Sequence, residues 1–184
     1  MDLSTFVVGG ARSGKSRFAI AEQAPRARVA FVATAQPGDA DMAARIARHR
    51  AGRPRHWTTV EEPLDLIPRL DDLVGRVDAV VVDCLTLWVS NRLLGGQTDD
   101  AILEGAEALA KLIARRPYAL TIVSNEVGEG VHPETAGGLR FRDLLGSVNQ
   151  RVATACDRVI LMVAGQPLTV KAPSPAHDFG QQAP

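Results

Sequence analysis

One stretch constrains the chain more than any other. The apolar run Thr5–Val8 empties into Gly9-Gly10-Ala11-Arg12-Ser13-Gly14-Lys15-Ser16, after which an apolar-periodic segment, Lys15–Gln23, resumes. The eight residues satisfy G-x-x-x-x-G-K-[ST] in full and stand where its mechanism requires, after a strand and opening a helix. Glycines let successive backbone N–H groups turn inward as a nest, and the helix N-terminus adds partial positive charge. Lys15 then reaches the β- and γ-phosphates, and the Ser16 hydroxyl is placed to ligate magnesium. Such a loop is built for a nucleoside triphosphate, and it presupposes a strand-loop-helix unit within an α/β fold.

The rest of the chain repeats that alternation. Val29–Ala33, Ala79–Val82, Ala119–Val123 and Val159–Val163 are continuous apolar runs, as strands buried on both faces require. Helical spacing separates them at Asp41–Arg50, Ala101–Arg115 and Leu139–Ala155, the last after a Gly137-Gly138 break. Parallel strands joined by helical crossovers predict a three-layer α/β sandwich of the P-loop, RecA-like kind. A final short run, Leu168–Val170, follows Val163 after only four residues, hairpin length, so the sheet should end in an antiparallel edge strand. Residues 1–171 read as a single domain, and 172–184, Pro-rich and polar, as a disordered tail.

Composition excludes several function classes. Lys plus Arg and Asp plus Glu number 21 each in 184 residues, so no overall field draws nucleic acid or an anionic membrane. No window approaches the roughly 18 apolar residues of a membrane span, and the N-terminus lacks a basic segment leading an apolar core; the chain reads as cytoplasmic. Cys84 and Cys156 have neither CxxC spacing nor nearby histidines and read as core thiols rather than zinc ligands or a disulfide.

A carboxylate is needed to complete a magnesium site, and in this fold it ends a buried strand. Asp83, closing the run Val80-Val81-Val82, supplies one; capping the segment that starts near Leu85 is a compatible second role. Residues 41–57 carry Arg45, Arg48, Arg50, Arg53 and Arg55 with His49 and His56. Arginines near a triphosphate clamp its oxygens, and an arginine-rich setting favours a neutral, nucleophilic imidazole. The same composition also describes a solvated basic helix face ending in a histidine. Asn125, Glu126 and Glu129 follow an apolar strand at the ligand-binding edge of such a sheet, where Glu126 either orients a substrate hydroxyl or metal-bound water or merely caps its loop. No Asn-Lys-x-Asp segment reads a guanine base as in a signalling GTPase; the nearest analogue, Ser124-Asn125-Glu126-Val127-Gly128, lacks that order.

Taken together, GGARSGKS at Gly9–Ser16, ARIARHR and the RP of Arg53-Pro54, Trp57-Thr58-Thr59-Val60-Glu61, Asp83-Cys84-Leu85-Thr86, Val123–Gly128, Pro133 and Arg140-Phe141-Arg142-Asp143 resemble the bifunctional adenosylcobinamide kinase/adenosylcobinamide-phosphate guanylyltransferases of cobalamin biosynthesis, over residues 4 to about 171. The resemblance implies two reactions. ATP or GTP phosphorylates the aminopropanol hydroxyl of adenosylcobinamide; GTP then guanylylates a histidine, and the new phosphate displaces it to give adenosyl-GDP-cobinamide. It carries the guanylylated histidine onto His49, the nucleotide loop onto Gly9–Ser16, and further nucleotide contacts onto Ala33, Thr34, Ala35, Arg50, Ala51, Gly52, Arg53, Glu61 and Asp83. Some relatives have Glu at the Asp83 position, and some His-His where this chain has Arg48-His49, which leaves His49 as the candidate. Magnesium, ATP and GTP, and a homo-oligomer, a trimer, follow from the same resemblance. An apolar shelf for the flat corrinoid is more readily assembled between subunits, because aromatics make up only 4% of the chain. Two other readings use the same loop: a single-step small-molecule kinase without a covalent intermediate, and a recombinase-type ATPase.

Overall fold

In the computed structural model, which describes residues 3–38, 40–130 and 132–173, the apolar runs lie side by side in one seven-stranded sheet. The strands are β1 (Ser4–Gly9), β2 (Val29–Ala33), β3 (Thr58–Glu61), β4 (Ala79–Asp83), β5 (Ala119–Val123), β6 (Arg158–Val163) and β7 (Gln166–Lys171), in the spatial order β3-β2-β4-β5-β1-β6-β7. All neighbours are parallel except β6 and β7, which pair antiparallel as hairpin spacing predicts. The helices are α1 (Lys15–Gln23), α2 (Ala40–Ala51), α3 (Leu66–Asp72), α4 (Leu85–Leu94), α5 (Asp99–Arg115) and α6 (Ala136–Ala155).

The two-residue period of the strands divides the core into layers. Val80 and Val82 point with Phe6, Val32, Leu120 and Ile122 into a cluster covered by Leu66, Trp88, Leu109 and Val148, contributed by α3 to α6. Ala79 and Val81 point the other way, with Phe31 and Val123, beneath Ala19 of α1 and Trp57. Each of these fully buried large aliphatic side chains contributes roughly 1.5–3 kcal/mol, and helix-sheet-helix layering is what a sheet apolar on both faces demands.

Three elements escape apolar periodicity. β3 is only four residues long and none of them is buried, so Thr58–Glu61 lacks the hydrophobic run that marks the other strands. α3 and α4 follow strand ends too closely for their period to stand out. Helix α6 starts at Ala136, before Leu139, because Thr135 caps it: its Oγ1 accepts the Gly138 N–H at 3.1 Å. Gly137 and Gly138 therefore lie within the first turn rather than breaking the chain ahead of it. α5 likewise begins earlier than expected, at Asp99, with Thr98 accepting the Ala101 N–H. No helix among the described residues is long and apolar enough to cross a membrane. Of the proposed tail, residues 174–184 lie outside the described residues.

Candidate functional site

The glycine loop runs from the end of β1 into α1, and two glycines are forced by geometry. Gly9 has φ +153°, and a Cβ there would stand 2.5 Å from the backbone carbonyl oxygen of Met162 on β6. Gly14, with φ +96°, precedes the first turn of α1, where a Cβ would touch Gly165 of the β6–β7 turn at 3.4 Å. That turn braces the loop directly, since Gly165 N–H donates to the Ser13 carbonyl at 3.0 Å. Lys15 is buried, and its Nζ donates to the carbonyls of Gly9 and Gly10 at 2.9 and 2.6 Å and to Ser13 Oγ at 3.4 Å.

Beside the loop opens a cleft of about 670 Å³ at the carboxyl end of the parallel strands. It brings together Ala11, Arg12, Ser13, Gly14, Lys15 and Ser16 with Ala33 and Ala35 after β2, His49 and Arg53 from α2 and its exit, and Asp83 at the end of β4. Ile46 and His49, one turn apart on α2, face the same space, as helical spacing requires. His49 is therefore a wall of the same cleft as the glycine loop and not merely part of a solvated helix face. Its Nδ1 lies 4.0 Å from Asp83 Oδ2, and Asp83, with its side chain 13% exposed, is the more enclosed of the two.

Arg53 is fixed from beneath. Its guanidinium lies 3.7 Å from the centroid of the Phe31 ring, and Nη1 donates to Thr59 Oγ1 at 3.3 Å. Burial pushes its pKa below the ordinary arginine value, Asp83 opposes that, Arg50 adds to it, and Glu61 opposes it. Its Nε is buried with no hydrogen-bond partner, so a cation that has already lost part of its hydration faces the cleft, a setting suited to an anionic ligand.

The remaining expected contacts lie outside the cleft lining. Gly9 and Gly10 offer their carbonyls to Lys15 Nζ. Thr34 is fully buried and staples β2 to β4: its Oγ1 donates to the Cys84 carbonyl at 2.7 Å and accepts the Cys84 N–H at 2.8 Å. Arg50 and Glu61 pair with each other at 3.6 Å in exposed positions, while Ala51 and Gly52 are exposed at the end of α2. Asp83 does not cap α4; Cys84 holds the N-cap position, without a side-chain cap bond. Burial pushes the Cys84 thiol up to about 11 and the Cys156 thiol up to about 12; Cys156 is buried, whereas Cys84 is half-buried and lines the cleft. His56 and His132 are exposed, and neither lines the cleft.

Sequence reasoning missed a buried polar chain behind the cleft. Ser124 donates Oγ–H to Asn149 Oδ1 at 2.7 Å, Asn149 Nδ2 donates to the Asn125 carbonyl at 3.1 Å, and the Asn125 N–H donates to Thr86 Oγ1 at 2.8 Å. The lone signal for it is the presence of polar residues, Thr86 and Ser124, just after apolar strands.

No group of three or more His, Cys, Asp or Glu side chains among the described residues could hold a metal alone. Ser16 and Asp83, both among the cleft's lining residues, supply one hydroxyl and one carboxylate. That hard-oxygen pair fits magnesium, which takes one or two protein oxygens and completes its octahedron with phosphate and water.

Several known proteins are similar to the chain along most of its length. A bifunctional adenosylcobalamin biosynthesis protein, CobP, of Pseudomonas aeruginosa is 45% identical over 168 residues, covering 90% of this chain and 95% of its own. The corresponding CobU proteins of Salmonella typhimurium and Escherichia coli are 41% and 39% identical, each covering 90% of this chain and 98% of its own. Among solved structures, an ATPase of a bacterial type III secretion system superposes with a TM-score of 0.57 at 10% identity, over 88% of this chain and 51% of the ATPase, a likeness of fold alone. The profile of the family described as cobinamide kinase / cobinamide phosphate guanyltransferase matches residues 5–170, and the chain belongs to that family.

Proposed function

We propose that the chain carries out both transfers of its family: phosphorylation of adenosylcobinamide by ATP or GTP, then guanylyl transfer from GTP to the resulting phosphate through a guanylyl-His49 intermediate. It is a transferase by family. The observation that carries the covalent step is the presence of His49 in one cleft with the entire phosphate loop from Ala11 to Ser16.

In the first reaction the loop amides and Lys15 hold the β- and γ-phosphates, which requires Lys15 Nζ to exchange its present carbonyl partners for phosphate oxygens. The acceptor hydroxyl attacks Pγ, its proton leaves to a base, and the Pβ–O–Pγ bridge breaks. Ser16 and Asp83 would hold magnesium, which would supply charge neutralisation on the phosphates. In the second, a ring nitrogen of His49 attacks Pα of GTP and pyrophosphate departs, leaving a phosphoramidate. A phosphate oxygen of cobinamide phosphate then attacks Pα, and the P–N bond breaks, restoring the imidazole. Asp83 lies on the Nδ1 side of the ring, which supports presentation of Nε2 to phosphorus. Arg53, desolvated over Phe31, is placed to clamp phosphate oxygens. The reading extends to a cytoplasmic protein, one domain spanning 1–171, and a trimer.

Separating the half-reactions tests this. Lys15→Ala should impair both, whereas His49→Ala should leave phosphorylation of cobinamide intact and abolish GMP transfer. Equal loss of both activities in a folded His49→Ala protein would make the histidine structural and remove the covalent step.

A further inference from the structure

A second cavity, of about 310 Å³, lies where β5 hands over to the loop before α6, and no motif of the nucleotide site accounts for it. Glu126, Arg142, Asp143, Gly146 and Asn149 are among its walls. The two cavities share a partition. Asn125 lines the nucleotide cleft and Glu126, the next residue, lines the second cavity; the buried chain from Thr86 through Asn125 to Asn149 joins one wall to the other. The partition is also tied to the phosphate loop. The Gly9 carbonyl accepts Lys15 Nζ at 2.9 Å and the Glu126 backbone N–H at 3.0 Å, so Glu126 is anchored on the same atom as the phosphate-loop lysine.

A cavity of this size holds a short polar arm and not a corrin ring. We infer that it seats the aminopropanol arm of cobinamide, with Glu126 as the base for its hydroxyl and Arg142 as the cation that receives the phosphate once formed; this rests on the functional reading above. In the step itself, Glu126 takes the hydroxyl proton as the oxygen bonds to Pγ, and the nucleoside diphosphate leaves with the electrons of the broken Pβ–O–Pγ bridge. Arg142 is the one cation among the cavity's lining residues, braced by Asp143 at 2.9 Å and by His132 Nδ1 at 3.0 Å, and suited to an oxyanion arriving at that end. Gly146 supports the same reading. It stands in the middle of the unbroken 20-residue α6, and a Cβ built there meets nothing within 4 Å, so the helix leaves that volume open on the cavity side.

Steady-state phosphorylation of cobinamide by the full chain, with GTP and magnesium, tests the assignment. Gly146→Leu, which projects a side chain into the space, should raise KM for cobinamide at least about tenfold while KM for GTP moves less than about twofold. Glu126→Gln, isosteric and still able to accept the Gly128 N–H, should lower kcat about 100-fold or more, with Glu126→Asp recovering part of the loss. A wild-type KM for cobinamide in Gly146→Leu, or a kcat within about threefold of wild type in Glu126→Gln, overturns the proposal. A wild-type chain unable to phosphorylate cobinamide at all would instead overturn the functional reading on which it depends.

Discussion

Replacing Gly9 by alanine puts a methyl group into a space that the fold has closed. The new Cβ would lie 2.5 Å from the Met162 carbonyl oxygen and 3.0 Å from Ser13 Oγ. Ser13 can rotate, but Met162 O belongs to the backbone of β6, which is held in register against β1 through Thr5↔Arg158 to Gly9↔Met162. Relief therefore requires the loop or the strand to move by several tenths of an ångström. The φ of +153° adds backbone strain for any residue with a Cβ, about 1–3 kcal/mol, and overpacking adds about 1–3 kcal/mol more. The combined cost of about 2–6 kcal/mol corresponds to a melting temperature lowered by about 4–24 °C for a chain of this size. Gly10→Ala is the internal control, because a Cβ there meets nothing within 4 Å and φ lies outside the strained range. Its melting temperature should stay within about 2 °C of wild type. Thermal unfolding followed by circular dichroism, confirmed by urea midpoints, measures both. Equal melting temperatures for Gly9→Ala and wild type would refute the claim that β6 sets the shape of the loop.

Ser124→Ala should remove the donor to Asn149 Oδ1 inside the protein and cost about 1–3 kcal/mol in urea unfolding; a change below about 0.5 kcal/mol would mean that the polar chain does not hold the partition. Asp157 accepts the Ser4 N–H at 2.9 Å and the Ser4 hydroxyl at 2.8 Å and pairs with Arg116. Burial pushes its pKa up, but the Ser4 bonds, Arg116 and Lys171 outweigh that, and it lies below the ordinary aspartate value. Its stabilising contribution is therefore present above the unfolded-state pKa of about 3.9 and is lost as pH falls through the lower folded-state value. Asp157→Asn should accordingly lower the urea midpoint at pH 7, and the gap from wild type should shrink at pH 3; a gap that stays constant with pH contradicts the assignment.

The phosphate loop and the interior strands were legible because each rests on a local signal: glycines forced by backbone angles, and valine-rich runs forced by burial on two faces. The antiparallel end of the sheet was legible from a connection too short for a crossover. β3 was not, since Thr58–Glu61 pairs at the edge of the sheet beside β2 with no fully buried residue and only Val60 partly packed on the core, and its partnership is a property of the assembled sheet. The start of α6 was misplaced because Gly137-Gly138 is read as a break unless the Thr135 cap is seen to satisfy the first turn. In the site, His49 and Asp83 are 34 positions apart in sequence, and only the return of α2 over the strand ends brings their side chains to 4.0 Å. Thr34 shows the converse. The family resemblance counts it among the nucleotide contacts, but it lies outside the cleft lining and its hydroxyl is engaged on the Cys84 backbone, which only the register of β2 against β4 reveals.

Mass spectrometry of the intact chain and its peptides after incubation with GTP and magnesium, without any corrinoid, tests the central claim most directly. The account predicts a single added GMP, stable in base, lost in acid, located on the peptide containing His49 and absent from His49→Ala. No adduct, or an adduct that persists when His49 is replaced, would contradict it.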